Sequence, residues 1–133
     1  MKESNIQSMF GKKNKIKGFF ELKLCKNKSI RWDSVAEHQI KALTKAKNEG
    51  IYHKISDFPM FAGSKARFNF KKPFDCLYMQ GNAYVVVCFY IVRKQKKCYY
   101  IDIDKYLELS GKANKKSYRE EEINDHAEYI LDL

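Results

Sequence analysis

Glu21 and Lys23 stand two residues apart inside GFFELKLCK (residues 18–26), an acid and a base set in an apolar run. Side chains alternate between faces along a β-strand, so Phe20, Leu22 and Leu24 point one way while Phe19, Glu21 and Lys23 point the other. The apolar trio forms a core face. The acid and base are then held side by side on a rigid element, which is how a catalytic pair is placed, and equally how a solvated strand edge is built. As a surface ion pair alone it would be worth little. Asp102 and Asp104, also two apart, would bind a metal or form a solvated face before the last helix. His38 and His53 could serve as a general base or a ligand, but their polar and alternating settings suit ordinary packing. Cys25, Cys76, Cys88 and Cys98 show no CxxC pair or metal-finger spacing, and a free cysteine in an apolar run behaves as a small hydrophobe.

The elements that would position Glu21 and Lys23 follow from periodicity. SNIQSMF (residues 4–10) has capping-box spacing between Ser4 and Gln7, which predicts a short first helix ending near Gly11. A basic loop leads into the strand 18–25. In SVAEHQIKALTKAKNEG, Ser34 and Glu37 form a second capping box, Ala36, Ile40 and Leu43 trace one face, and Gly50 fits a C-terminal cap. IYHKIS (residues 51–56) reads as a strand, so the unit 18–56 is expected to be β-α-β with parallel strands. DFPMFAGSKA is a loop and RFNF a short strand. PFDCLYM and AYVVVCFYIV flank QGN, a hairpin signal. RKQKK turns the chain again into CYYIDID. The strand around AYVVV is apolar on both faces and belongs deep in the sheet. After KYLEL, Ser117 and Glu120 cap a final helix whose inner stripe is Ile123, Ala127, Ile130 and Leu131. The expected class is α/β, a mixed central β-sheet flanked by helices, in a single domain spanning residues 1–133.

Composition limits the partners. The chain carries a formal net charge of +10 and a pI near 9.4, which suits an anionic partner, nucleic acid first and an acidic membrane surface second. Lysines cluster before the opening strand (Lys12, Lys13, Lys15, Lys17), after it (Lys26, Lys28, with Arg31), and at Lys71–Lys72, Lys94–Lys97 and Lys112–Arg119, whereas acids gather from Glu120 to Asp132. That asymmetry favours a basic surface facing a polyanion. The longest apolar stretch, Ala83 to Val92, is too short for a spanning helix. With no leader-like segment and no disulfide pattern, a reduced cytoplasmic interior is expected, that of a host cell if the source is viral, with no membrane partner.

ELK on a strand, a following helix with EHQIKAL, then a strand and PFD together resemble the PD-(D/E)XK nuclease superfamily, and within it the Holliday-junction resolvases of bacteria, archaea and their viruses. The resemblance spans about residues 3–104. It implies a restriction-endonuclease-like core and a phosphodiester hydrolase using Mg²⁺ or Mn²⁺. Such cations are typically held by one or two acids plus waters. By this resemblance Glu21 and Asp75 are the metal ligands and the Leu22 carbonyl is a third. Lys23 orients or deprotonates the attacking water or stabilises the phosphorane, Gln39 is aimed at the site from its helix, and Glu3 is the first-helix acid. Lys26, Lys28, Ser29 and Arg31, with Lys71 and Lys72 before PFD, would contact DNA. The order departs from the family, which places its Asp before Glu-x-Lys. Either the Asp75 strand lies beside the Glu21 strand in a permuted arrangement, or Asp57 supplies the second acid. The function implied is a structure-selective endonuclease that resolves four-way DNA junctions as a homodimer. The alternatives are a superfamily nuclease without junction preference and a DNA-binding protein whose site has decayed. An RNA-binding module is weaker, since no aromatic RNA-binding motif is visible. Trp32, Tyr99 and Tyr100 would stack on unpaired bases or pack in the core.

Overall fold

In a computed structural model describing residues 3–55 and 74–133, the chain is organised around a strand that is buried on both faces. The elements in order are α1 (Glu3–Lys13), β1 (Phe19–Cys25), β2 (Ser29–Arg31), a 3₁₀ turn (Trp32–Ser34), α2 (Glu37–Asn48), β3 (Ile51–Lys54), β4 (Cys76–Met79), β5 (Ala83–Phe89), β6 (Lys97–Asp102), α3 (Ile103–Lys112), β7 (Ser117–Arg119), α4 (Glu120–His126) and β8 (Tyr129–Asp132). The main sheet runs β1-β5-β6-β8. β1 and β5 are parallel, with Glu21 opposite Val85 and Lys23 opposite Val87. β5–β6 and β6–β8 are antiparallel. The protein is therefore α/β with a mixed four-stranded sheet. Among the described residues no helix is long and apolar enough to cross a membrane.

Every residue of β5 is buried, and alternation divides it between two cores. Val85, Val87 and Phe89 face Leu43 of α2, Ile103 and Tyr106 of α3, and Ile123 of α4. Tyr84, Val86 and Cys88 face Ile6 and Phe10 of α1, joined by Phe20, Leu22 and Leu24 of β1. A run apolar at every position is what a strand covered on both sides requires. The same alternation turns Glu21 and Lys23 towards the α2 side.

Four expectations are corrected. The strand parallel to β1 is β5, not the segment 51–56: β3 is exposed at three of its four positions, and the fully apolar β5 takes the interior place. The β-α-β unit is thus β1-α2-β5, with β3 and β4 inserted as a separate antiparallel pair. QGN does not close a hairpin, because β4 and β5 belong to different sheets. It crosses instead from the end of α2 to the start of β1, where the Gly81 N–H donates to Ala46 O (3.4 Å) and the Phe19 N–H to Asn82 O (2.8 Å). The last helix is only α4. Past Ala127, which is extended, Tyr129–Asp132 pairs with β6, and the period-2 reading of YILD prevails over the helical stripe through Ile130 and Leu131. KYLEL lies within α3, a full helix. RFNF falls outside the described residues.

Gly50 is needed where α2 hands over to β3. Its φ is +87°, and a Cβ there would come within 2.6 Å of the Tyr78 hydroxyl and 2.9 Å of Met79 O. The same tyrosine donates to Glu49 O (2.6 Å) and so pins the β3–β4 pair to the helix end. Asp102 and Asp104 are settled as structural: Lys47 Nζ lies 2.9 Å from Asp102 and 2.6 Å from Asp104, and Asp102 accepts from the Asp104 N–H to cap α3. Together these contacts tie α2 to α3.

Candidate active site

β1 is an outer strand, paired among the described residues with β5 alone. The Phe19 N–H donates to Asn82 O, and Cys25 O accepts from the Tyr90 N–H (2.7 Å). The peptide groups of residues 19 and 25 thus face β5. Since direction alternates along a strand, those of Phe20, Leu22 and Leu24 face the open edge, the Leu22 carbonyl among them.

Glu21 is held from two sides. Gln39 Nε2 donates to Glu21 Oε1 (2.8 Å), and Lys23 Nζ lies 3.2 Å from the same oxygen. The amide of Gln39 is itself fixed, because its Oε1 accepts from the Ala36 N–H (3.0 Å) at the start of α2. This is one half of a capping box, centred on Ala36 and Gln39 where the sequence suggested Ser34 and Glu37. The lysine and glutamate side chains are 22% and 27% exposed, far less than a solvated strand edge would leave them. Glu21 Oε2 has no hydrogen-bond partner among the described residues.

Around the open edge Glu3 and Gln7 of α1 join Phe20, Glu21, Leu22, Lys23 and Gln39 in lining one cleft of about 460 Å³. Residues 3 and 7 share a helix face, and Ile6 and Phe10 anchor that helix in the core. Across Glu21 a second, apolar cleft is lined by Phe19, His38, Ala42, Leu43, Ala46 and Ile51. Sequence reasoning weighs His38 as a base or ligand and sets it aside for packing, and gives Gln7 a place only in a capping box. The signals that could have found them are adjacency to Gln39 and the i,i+4 spacing from Glu3.

Five predicted residues therefore converge: Glu3, Glu21, Leu22, Lys23 and Gln39. Asp75 does not join them. It is exposed, its carbonyl accepts from the Ile55 N–H (2.8 Å) at the far end of the β3–β4 ladder, and it lies about 13 Å along the strand from Met79. It lines neither cleft at Glu21. The permuted arrangement is thus corrected: the strand beside β1 is β5, which brings valine and not aspartate. Asp57, Lys71 and Lys72 lie outside the described residues. Lys26 and Lys28 are exposed just past β1. The backbone carbonyl of Ser29 accepts from Cys25 Sγ (3.3 Å). Arg31 forms a two-point pair with Asp33 (2.9 and 2.7 Å), so its charge is partly answered. Trp32 packs on Tyr106 and Tyr118 with ring centroids 5.3 and 4.1 Å away, and Tyr99 and Tyr100 are buried. Tyr99 and Tyr100 are core residues, and Trp32 is half-buried against the core.

Among the described residues no group of three or more His, Cys, Asp or Glu side chains is placed to hold a metal. A hard cation such as Mg²⁺ needs fewer, typically one or two carboxylates with waters. Glu21 with its open Oε2, the exposed Glu3 and the edge-facing Leu22 carbonyl make an all-oxygen set of that kind.

If Gln39 is what aims Glu21, Gln39→Leu should lower the turnover of any reaction at this site by about 10- to 100-fold, the usual cost of losing an outer partner of a ligating group. Metal-free affinity for its ligand should be unchanged. Rates and affinities measured side by side check this, and equal turnover in the variant would make the amide merely structural.

No protein-family model, curated protein or solved structure matches this chain.

Proposed function

We propose that the protein is a metal-dependent DNA endonuclease of the PD-(D/E)XK type, with a restriction-endonuclease-like catalytic face and branched, four-way DNA as its preferred substrate. The observation that carries the reading is the convergence of Glu21, Lys23 and Gln39 with Glu3 around a cleft on an open strand edge. Glu21 and Glu3, with the Leu22 carbonyl, would hold Mg²⁺ or Mn²⁺. When bound, that ion neutralises phosphate charge and makes a water more acidic.

The rest of the work falls to the chain. Gln39 holds the Glu21 carboxylate through Oε1, and Oε2 would be the oxygen offered to a ligand. Lys23 Nζ is ion-paired with Glu21 at 3.2 Å. Its ammonium has further donors, available to a non-bridging phosphate oxygen or the attacking water. Burial of most of this pair strengthens both interactions relative to water. The lysines beyond β1 would hold phosphates and read shape more than sequence. Two symmetric nicks in a junction require two sites related by a two-fold, hence a C2 homodimer.

One observation favours a second reading. β5 presents no acid beside Glu21, which suits a protein that binds DNA without cutting it.

The test uses a four-way junction, a matching linear duplex, a flap and a single strand, each with Mg²⁺, Mn²⁺ or EDTA. The expected result is paired symmetric nicks in the junction, absent in EDTA. Glu3→Gln should lower the rate by about tenfold or more, in the range for a weakened metal site, while Asp75→Asn leaves it unchanged. Loss in Asp75→Asn with retention in Glu3→Gln would restore Asp75 as the second ligand. Tight junction binding with no cutting under either metal would select the second reading.

A further inference from the structure

Beyond the Glu21 cleft, two turns and a strand end near the C-terminal end of β1 bring cations together that are far apart in sequence. Lys28 comes from the turn after β1, Lys94 from the turn between β5 and β6, and Arg119 from the end of β7. With Ile91, Glu120 and Glu121 they line one pocket of about 330 Å³. Two ladders build it. β2 pairs with β7 so that Ser29 stands opposite Arg119, and β5 runs beside β1 so that the Tyr90 N–H reaches Cys25 O. The turn holding Lys94 is set by Arg93, which has φ 67°.

The charges are not neutralised pair by pair. None of Lys28, Lys94 and Arg119 takes part in an ion pair among the described residues. Glu120 has its Oε1 engaged by the Tyr99 hydroxyl (2.8 Å), and Glu121 is a second acid on the pocket wall. Three cations with two acids leave a net positive pocket, one that would accept a small anion and that includes a guanidinium, whose planar fork suits phosphate oxygens.

We infer that Lys28, Lys94 and Arg119 form a phosphate-binding pocket that grips a phosphodiester of the DNA backbone at a fixed distance from Glu21. The choice of DNA as the phosphate's source rests on the proposed function. Cys25 lies four residue steps along the extended strand from Glu21, about 13 Å. That is about four steps of duplex at 3.4 Å each, and Lys28 lies just past it. The pocket therefore anchors the backbone a few nucleotides from the phosphate presented to Glu21 and sets the register of the cut. Lys28 is legible in the sequence as a cation beside β1, but no spacing brings Lys94 and Arg119 to it.

The test is duplex affinity in EDTA across a salt series, so that cleavage plays no part. Wild type is compared with Lys94→Gln/Arg119→Gln and with Lys41→Gln/Lys45→Gln, which removes the same charge from the exposed face of α2. The pocket variant should bind about tenfold more weakly, and its log Kd against log salt slope should shrink by about 1, for the one phosphate it no longer neutralises. The α2 variant should stay close to wild type. Equal behaviour of the two double variants, or no duplex binding by wild type, would overturn the pocket. So would millimolar inorganic phosphate competing for the pocket while the pocket variant keeps wild-type DNA affinity, since the ligand would then be a free phosphate. If wild type binds with the full slope, the pocket variant loses it, and nothing is cut in Mg²⁺ or Mn²⁺, the nuclease reading falls and the pocket stands.

Discussion

Glu21→Gln is expected, on the proposed nuclease reading, to lower metal-dependent DNA cleavage by about three orders of magnitude or more while the protein keeps its fold. The replacement is nearly isosteric, so packing along β1 is preserved. What changes is charge. A neutral amide oxygen holds a hard cation more weakly than a carboxylate does, and Lys23 loses the carboxylate 3.2 Å away that now answers it. Gln39 loses its acceptor or must share it with a second amide. The stability cost should be small, about 1 kcal/mol, because the pair keeps some access to water and such pairs contribute little. Initial rates on a four-way junction, with thermal unfolding in parallel, separate the two effects. A rate within tenfold of wild type, at unchanged stability, would mean that Glu21 and Lys23 are a strand salt bridge and no more. Glu21→Asp sharpens the test. It keeps the charge but draws it back by one methylene, so a nuclease should recover partial activity with it, whereas a salt-bridge role would not distinguish the two variants by rate.

The part of this site that could be read in the sequence is the part fixed by local periodicity. Alternation along FFELKLC puts Glu21 and Lys23 on one face, and a helical stripe through Leu43 turns Gln39 towards that face. The unbroken apolar run of β5 announces a strand covered on both sides. The rest depends on which strand wins the place beside β1, and that competition is not local. IYHK has the composition of a short strand as much as any other segment. Only comparison of its burial with that of AYVVVCF shows which of the two is worth placing in the interior. The position of PFD before a strand points to Asp75, and the role fails to follow because that strand pairs with β3. The C-terminal error has the same form. Ile123, Ala127, Ile130 and Leu131 fit a helix by spacing, but β6 offers an edge that YILD can pair with, and the ladder there includes Cys98 opposite Leu131. Lys47 shows the opposite case, where a pair of acids that suggested a metal is answered by a lysine more than fifty residues earlier in the chain.

The second large effect concerns stability at high pH, and it arises from how the sheet is packed. Raising the pH above about 10 should unfold the protein cooperatively within about two units. Tyr84, Tyr99, Tyr100, Tyr106 and Tyr118 are all buried, none more than 4% exposed, and burial raises the phenol of each above its ordinary value of 10.0. Tyr100 and Tyr106 are pushed up to about 12. Tyr99 and Tyr118 are driven higher, the former also by its bond to Glu120 and the latter by Tyr106. In the unfolded chain these phenols ionise near 10, so above that pH the unfolded state holds fewer protons than the folded one. Stability then falls with rising pH, by about 1.4 kcal/mol per unit for each phenol that remains protonated only in the fold. Lys47 acts in the same sense. Its hydrogen bonds to Asp102 and then Asp104 raise it above 10.5, so the stability it adds is complete below 10.5 and is lost as the pH climbs through the folded value. With the four phenols shifted furthest (Tyr99, Tyr100, Tyr106 and Tyr118) resisting together, the slope approaches about 5 kcal/mol per pH unit, enough to consume an ordinary folding stability of about 5–15 kcal/mol. Tyrosinate absorbance and far-ultraviolet circular dichroism, followed together through an alkaline titration, should show one shared transition. If the tyrosines instead titrate gradually while the dichroism stays constant to about pH 12, the phenols are reached by solvent in the folded state, and the aromatic packing of Tyr84, Tyr100 and Phe20 around the sheet is looser than their burial requires.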